Sequence, residues 1–460
     1  MKTKTDVLVI GGSIAGIVTA ATGKTLYPDC DFLVVRKEKE AVVPCGIPYI
    51  FETLHSTEKD LFSEAVLSDA GVQVAVDEVV SFNPRDKICR TADGTEISFA
   101  RAVLATGSIP KTLPNIQGID LENVFTVPKE KQYLSAMHAR LSACHKVVII
   151  GGGFTGVAIA DELHKAGKDV TIVEGLPSVL KLCFDEDFAI AAHQMLISKG
   201  IRIFPLDGLK EILGDTHVTG VLLESGARLE TDAVILAIGF QPNTAIAQEA
   251  GLPVNELGFI KTNEFMQAGS GYGSMRPEDA KILAVGDCAE KRCFITRVPR
   301  NIMLASTACA EARIAAVNLY RLSVARIFEG TIPTYTTMIG DTAFGATGIT
   351  ESVAKEIRFK ITTATCEGYD RHPLSMENTH PQIVKLVVTR ESGLIIGGQV
   401  MGGSSTGELL NLIGFAIQNR MNIYSILTAQ IGTHPMLTSS PISYPLIKAA
   451  EEIARSRWVG

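Results

Sequence analysis

At 460 residues the chain is long enough for about three domains of ~150 residues each, which suits an enzyme better than a small binding module. Its formal net charge of −7, from Lys+Arg 43 against Asp+Glu 50 with no long run of one sign, excludes a nucleic-acid groove and a membrane-binding face. No apolar run approaches the ~20 residues that span a bilayer, and the N-terminus enters a strand pattern at once, so a cytoplasmic location is expected.

Taken in chain order, residues 6–10 read as an apolar strand that enters the turn Gly11-Gly12-Ser13-Ile14-Ala15-Gly16, and residues 32–35 form a second strand ending at Arg36. Cys45 opens the segment Cys45-Gly46-Ile47-Pro48-Tyr49, where proline fits the first turn of a helix. Residues 102–108 form a short apolar strand that closes on Thr106-Gly107. The same sequence of elements then recurs: a strand at 146–150, the turn Gly151-Gly152-Gly153-Phe154-Thr155-Gly156, a helix over 157–164, a strand at 169–173 ending in Glu174, and an apolar run, 233–239, ending at Gly239. Residues 268–280, rich in Gly, Ser and charge, read as a surface insertion, and the strand 282–285 leads into Gly286-Asp287-Cys288. Beyond about residue 328 the pattern becomes α+β, with strands at 382–389 and 394–401 and helices at 407–420 and 445–455.

In a G-x-G-x-x-G turn the first glycine permits the tight bend, the second lets backbone N–H groups approach a pyrophosphate, and the third lets helix pack on strand. Gly151, Gly153 and Gly156 meet all three requirements. Glu174 follows at the spacing that brings a carboxylate to a ribose 2′-hydroxyl. No arginine stands directly after it and its charge repels a 2′-phosphate, so NADH is favoured over NADPH, although Lys181 weighs the other way. In the first turn Ser13 replaces the middle glycine between Gly11, Gly12 and Gly16. Arg36 stands where the ribose acid belongs and Glu38 lies two residues on, so that acid is displaced or missing. The blander readings are a helix-capping Ser13 and a solvated Glu38. Asp287, directly after a strand and a glycine, suits the ribityl chain or flavin-side phosphate of an FAD, with an ordinary turn aspartate as the alternative.

The nine cysteines are scattered, odd in number and without a paired C-x-x-C, the usage expected of reduced thiols, so neither a zinc site nor a disulfide framework is expected. Cys288 and Cys293 follow the Gly286-Asp287 turn and read as bystanders.

These segments, with Val43-Pro44 before Cys45, Ala105-Thr106-Gly107-Ser108-Ile109-Pro110 and Ala237-Ile238-Gly239-Phe240-Gln241-Pro242-Asn243, make the chain resemble the FAD-dependent pyridine nucleotide-disulfide oxidoreductases over essentially its whole length. Within them it is most similar to the single-cysteine branch of NADH oxidases, NADH peroxidases and coenzyme A-disulfide reductases. The resemblance implies an α/β fold with two Rossmann-like dinucleotide-binding domains, for FAD and NAD, plus a C-terminal α+β dimerisation domain that makes a homodimer. The implied divisions are 1–111 and 246–327 for FAD, 112–245 for NAD(P)H and 328–460 for the interface. It also places Ala305 near the flavin ring and Phe154 at the aromatic position that shields the flavin until nicotinamide arrives, with core packing as its plainer role.

On the same resemblance Cys45 is the redox-active residue. A helix N-terminus beside it would lower its pKa and favour the thiolate. The next cysteine, Cys89, is 44 residues on, so the electron acceptor comes from outside the chain. Hydride from NADH would pass by way of FAD to a mixed disulfide that Cys45 forms with a small disulfide, persulfide or polysulfide. The alternatives are an NADH oxidase, where O2 is the acceptor and Cys45 cycles through sulfenic acid, and an electron-transfer subunit with a protein partner. Ile14 stands where the peroxidases carry histidine, which disfavours peroxidase chemistry. Ala158 replaces the family's glutamate, with carboxylates only at Asp161 and Glu162. From the interface domain Tyr444 and Tyr369 are candidate substrate-facing tyrosines, and His434 resembles the histidine that protonates a leaving thiolate across the dimer, although a structural histidine before proline is equally expected.

Overall fold

The computed structural model describes residues 2–269, 281–322 and 326–458; most of the expected 268–280 insertion therefore lies outside the described residues. The chain forms two compact units, each assembled from three stretches of sequence: Met1–Thr112, Thr126–Ala143 and Gly239–Thr331 in the first, Leu113–Phe125, Cys144–Ile238 and Ile332–Gly460 in the second.

The first unit is built on a sheet in the order Gln73–Val76, Phe32–Arg36, Lys2–Ile10, Glu96–Leu104, Ile88–Thr91, Val79–Asn83, with Ile282–Ala284 paired in parallel to Glu96–Leu104. Its central strands are parallel, with Val7 opposite Phe32 and Val9 opposite Val103. A parallel sheet covered on both faces needs continuous apolar strands, and Val7, Leu8, Val9 and Ile10 are all buried, as are Val103 and Leu104. Each such side chain contributes roughly 1.5–3 kcal/mol on burial. The helices Ile14–Leu26 and Ala305–Val317 pack on each other beside this core through small residues, Ala15, Gly16 and Ala20 from one and Ala308, Ala312 and Ala315 from the other being buried.

The second unit repeats the arrangement. Its parallel sheet runs Arg202–Pro205, Asp169–Glu174, Lys146–Ile150, Ala233–Leu236, Val124–Phe125, and the helix Phe154–Lys165 follows the glycine turn. A three-stranded antiparallel sheet, Leu209–Gly214, Val218–Leu223 and Arg228–Glu230, packs with it around Val148, Ile150, Val221 and Leu223. The same unit contains a five-stranded antiparallel sheet in the order Thr334–Ile339, Thr342–Gly348, Ile395–Gly402, Pro381–Thr389, Ile361–Tyr369, covered by the helices Thr406–Gln418 and Pro445–Trp458. The α/β class with two Rossmann-like sheets is as expected, and most elements named from the sequence fall within a few residues of their observed bounds; the strand read at 102–108 instead spans Glu96–Leu104, and Ser108 opens a separate short strand, Ser108–Pro110. The strands 79–91 and 209–230 were not read from the sequence, because short, partly exposed antiparallel strands carry little periodic signal.

Candidate active site

The two glycine turns are built alike, and in both the steric argument is met at atomic distances. Gly11 has φ +112°, and a Cβ there would lie 2.1 Å from the Ala105 carbonyl oxygen; Gly16 admits no Cβ because one would stand 1.9 Å from the Gly11 carbonyl oxygen. In the second turn Gly151 has φ +106°, its Cβ would fall 2.6 Å from the Ala237 oxygen, and a Cβ on Gly156 would fall 2.0 Å from the Gly151 oxygen. Strand, turn and helix thus approach as closely as backbone allows, leaving the first N–H groups of a helix directed outward for a pyrophosphate. Ser13 and Gly153 occupy the N-cap positions of these helices. The Ser13 hydroxyl makes no capping bond, so the blander alternative, a serine that caps its helix through the side chain, finds no support.

The charges beside the two turns differ in sign. Glu174 accepts hydrogen bonds from the N–H of Gly152 at 2.6 Å and of Leu176 at 2.8 Å, which fixes the carboxylate against the turn. At the matching place in the first unit the buried Arg36 lies against Gly12, where a Cβ would meet its Cδ at 2.4 Å, and its guanidinium donates to both carboxylate oxygens of Glu64 at 2.8 Å and to the Lys39 carbonyl. Glu38 is half-buried, and burial, reinforced by Glu130 and opposed by Lys37, raises its pKa.

Thr106 donates to the Asn243 carbonyl at 2.5 Å, and the strands Ser108–Pro110 and Phe240–Pro242 pair beside Gly107 (φ +71°) and Gly239 (φ +95°). This ribbon brings Ser108 to Asp287, whose carboxylate accepts from the Ser108 hydroxyl at 2.8 Å and from Lys129 Nζ at 2.7 Å. Burial pushes the Asp287 pKa up, but Lys129, the Ser108 bond and the charge of Lys291 outweigh it and hold the group ionised below the ordinary aspartate range. Beneath, Glu311 accepts from Gly286 N–H at 2.8 Å and from Lys291 Nζ at 2.9 Å, while Lys291 also donates to the carbonyls of Gly286 and Ala289. Both charged groups are fully buried and staple the turn that presents Asp287; burial pushes the Glu311 pKa up to about 7.

Cys45 is exposed, the only one of the nine free cysteines to be so. The residues after it form a short 3-10 helix, Ile47–Phe51, with Pro48 in its first turn. The expected lowering of its pKa is not found. Protein packed about the sulfur withdraws solvent and raises the pKa; Lys129 opposes this, whereas Asp287, Asp60 and Cys309 add to it. One turn of 3-10 helix has too few aligned peptides to offset that desolvation. Cys288 and Cys293 are buried, Cys288 directing its thiol to the carbonyls of Leu104 and Val285.

Ala305 begins the helix Ala305–Val317 and is partly exposed. Phe154 begins the second turn's helix and stacks on Tyr335 with ring centroids 5.2 Å apart and an interplanar angle of 17°, with Phe184 tilted at 5.9 Å. Ala158 is buried, and the nearby carboxylates are occupied internally: Asp161 pairs with Lys165 at 2.8 Å and Glu162 with Lys165 at 3.0 Å. His434 is exposed, its Nδ1 accepting from the Met436 N–H at 3.2 Å; Tyr369 is exposed, and Tyr444 is buried, which raises its pKa. Lys129, Lys291, Glu311 and Asp60 belong to no sequence motif and were missed; an isolated lysine between strands gives no periodic or spacing signal.

Family comparison agrees with this construction. The model described as pyridine nucleotide-disulphide oxidoreductase matches residues 5–312, and that of its dimerisation domain matches residues 334–442. The NADH oxidase of Methanocaldococcus jannaschii is 29% identical over 457 residues, covering 97% of this chain and 98% of that protein. The NAD(P)H coenzyme A polysulfide/persulfide reductase of Pyrococcus horikoshii is 29% identical over 427 residues, 90% of this chain and 93% of that protein. Among solved structures, an NAD-dependent persulfide reductase from A. fulgidus has a TM-score of 0.89 at 24% identity, covering 100% of this chain and 84% of that one. The water-forming NADH oxidase of Lactobacillus brevis has a TM-score of 0.87 at 24% identity, covering 98% and 99%. Both glycine turns fit the dinucleotide-binding pattern, since a Cβ at Gly16 or Gly156 would strike the carbonyl oxygen of Gly11 or Gly151 and hold the helix off its strand, and the correspondence runs through both turns and on into the C-terminal sheet. The chain belongs to the pyridine nucleotide-disulphide oxidoreductases, enzymes that work with FAD and a nicotinamide dinucleotide.

Proposed function

We propose that the chain reduces a small disulfide, persulfide or polysulfide, of the coenzyme A-disulfide type, with NADH as donor and Cys45 as its single redox-active cysteine. The observation that carries this reading is that nine thiols are free and Cys45 alone is exposed, beside a lysine and carboxylates able to tune it. The names borne by the Pyrococcus horikoshii and A. fulgidus proteins support the same substrate class.

FAD, when bound, supplies two-electron exchange between nicotinamide and sulfur. Gly11, Gly12, Ser13 and Gly16 would hold its pyrophosphate, Glu38 its adenosine end, and Thr106, Gly107, Asp287 and Ala305 its flavin end. Gly151, Gly153, Gly156, Glu174 and Gly239 would hold NADH, with Phe154 at the nicotinamide. Cys45 thiolate attacks one sulfur of the substrate and expels the other as a thiolate. Lys129, the main group lowering the Cys45 pKa, stabilises that thiolate. His434 and Tyr444 would serve from the interface domain, 328–460, which pairs two copies of the chain, with 1–111 and 246–327 as the FAD part and 112–245 as the NAD part. The strongly exposed Phe415 and Ile442 in this domain support a homodimer. A cytoplasmic location agrees with the free cysteines.

A second reading, an NADH oxidase acting on O2, is supported by the Methanocaldococcus jannaschii relative. NADH consumption with coenzyme A disulfide under nitrogen, compared with air-saturated buffer, separates the two in wild type and Cys45→Ser. Disulfide-dependent turnover abolished by Cys45→Ser is the expected result. Oxygen turnover indifferent to disulfide would sink the first reading and leave the second.

A further inference from the structure

Asp60 is a buried carboxylate that no motif contains, and it lies beside the reactive cysteine. Residues 41–43 run antiparallel to 60–62: Val43 N–H donates to the Asp60 carbonyl at 2.9 Å, Phe62 N–H donates to the Ala41 carbonyl at 2.9 Å, and Val42 bridges Leu61. This ribbon fixes the Asp60 backbone opposite the residues that lead into Cys45. The carboxyl group then folds over Gly46, the residue directly after Cys45. A Cβ at Gly46 would stand 1.8 Å from Asp60 Oδ1 and 2.8 Å from its Cγ, so only glycine admits the carboxyl there.

The residue is 3% exposed, and its Oδ2 is buried without a hydrogen-bond partner. A buried carboxylate oxygen with no donor is costly, and such exceptions call for an explanation. Two lysines of the same unit are committed to other carboxylates: Lys131 binds Glu40 at 2.6 Å and Glu58 at 2.7 Å, and Lys129 binds Asp287 at 2.7 Å. Asp60 forms no ion pair among the described residues, and burial pushes its pKa up to about 6. That value lies close to neutral pH, where an acid–base group transfers protons most effectively. The groups acting on Cys45 are Lys129, Asp287, Asp60 and Cys309, and of the two carboxylates Asp287 is already held by Lys129 and Ser108.

We propose that Asp60 is the proton carrier of Cys45, taking the proton that the thiol gives up and returning it to the thiolate expelled from the substrate. The inference rests on Cys45 being the nucleophile. The steps balance. Cys45 thiol and Asp60 carboxylate become Cys45 thiolate and Asp60 carboxylic acid. The thiolate attacks R–S–S–R, forming a Cys45–S–S–R bond and releasing R–S⁻. The acid then protonates R–S⁻, giving R–SH and restoring the carboxylate. Proton transfer within the pair leaves one negative charge throughout, so the site never has to hold two.

The test uses FAD-loaded protein and two readouts. In the first, alkylation of Cys45 by iodoacetamide, located by mass spectrometry, is followed from pH 5 to 10. Wild type is expected to show an acid inflection from Asp60 as well as the alkaline one from the thiol; Asp60→Asn should lose the former and shift the latter downward, since a neighbouring negative charge has gone. In the second, single-turnover attack on disulfides of graded leaving-thiol pKa is compared. Asp60→Asn should slow alkyl disulfides, whose thiolates need the proton, by on the order of 100-fold while leaving an aromatic disulfide nearly unaffected. Asp60→Ser provides the same comparison should the asparagine variant fold poorly. An unchanged pH profile together with equal slowing of all disulfides would overturn the proposal. Retained disulfide reduction in Cys45→Ser is a different outcome, which removes the nucleophile on which the inference rests.

Discussion

Lys129 and Asp287, 158 residues apart in sequence, meet at 2.7 Å, and the two act in opposite senses on Cys45, the lysine lowering its pKa and the aspartate raising it. Replacing Lys129 by methionine therefore removes the main influence that favours the Cys45 thiolate. The rate of alkylation at neutral pH should fall by about tenfold, because loss of the neighbouring cation lowers the thiolate fraction.

The same substitution has a consequence for pH stability. The Asp287 pKa is depressed in the fold, so its contribution is present above the ordinary aspartate value and is lost as pH falls through the folded value. In Lys129→Met that loss should begin at higher pH. Flavin release on acid titration, followed by fluorescence, measures it, and an unshifted midpoint would show that the pair does not support the site.

Gly16 and Gly156 permit separate tests of the two cradles. An alanine at either must push a methyl into a carbonyl oxygen that lies 1.9 Å or 2.0 Å from the ideal Cβ position. Gly16→Ala should purify with little or no flavin. Gly156→Ala should remain yellow and lose NADH affinity at least tenfold. Each should destabilise its own unit by about 1–3 kcal/mol, measurable by denaturant unfolding.

Glu174 is pinned by the N–H groups of Gly152 and Leu176 as a fixed negative charge beside the second glycine turn, and in the proposed function it meets the ribose of NADH. Wild type should prefer NADH to NADPH by kcat/KM. Glu174→Ala should weaken NADH about tenfold, the worth of one charged hydrogen bond, and narrow the preference. A preference unchanged in the variant would move the discrimination elsewhere, to Lys181 first.

Glu311 carries a further pH signature. Its folded pKa of about 7 lies above the ordinary glutamate value, so the stability it contributes is fully present below that ordinary value and is lost as pH rises through about 7. Thermal unfolding of the holoenzyme between pH 5 and 8 should show this downward slope. The double variant Lys291→Met with Glu311→Leu should flatten it, whereas Glu311→Leu alone leaves a buried ammonium and should cost about 3–5 kcal/mol.

The two dinucleotide turns, the strands that feed them and the distinction of Cys45 were all legible in the sequence. A buried parallel strand must be an unbroken apolar run, and a turn that packs backbone on backbone must use glycine, so Val7 to Ile10 with Gly11 and Val147 to Ile150 with Gly151 announce themselves. The ribose acid of the first site was legible only as missing. That Arg36 lies buried beneath Gly12 and is bound to Glu64 depends on a contact across 28 residues of chain.

Tertiary structure alone decided the electrostatics. A lysine or aspartate has the same local appearance whether it is solvated or buried, and its pKa depends on which distant groups the fold brings within a few ångströms. So the sequence determined where nucleotides can approach the backbone. Only the fold could bring Lys129 to Asp287, lock Lys291 to Glu311 at zero exposure, set Asp60 over Gly46, and reverse the expected shift at Cys45 by partly desolvating a cysteine that stays exposed.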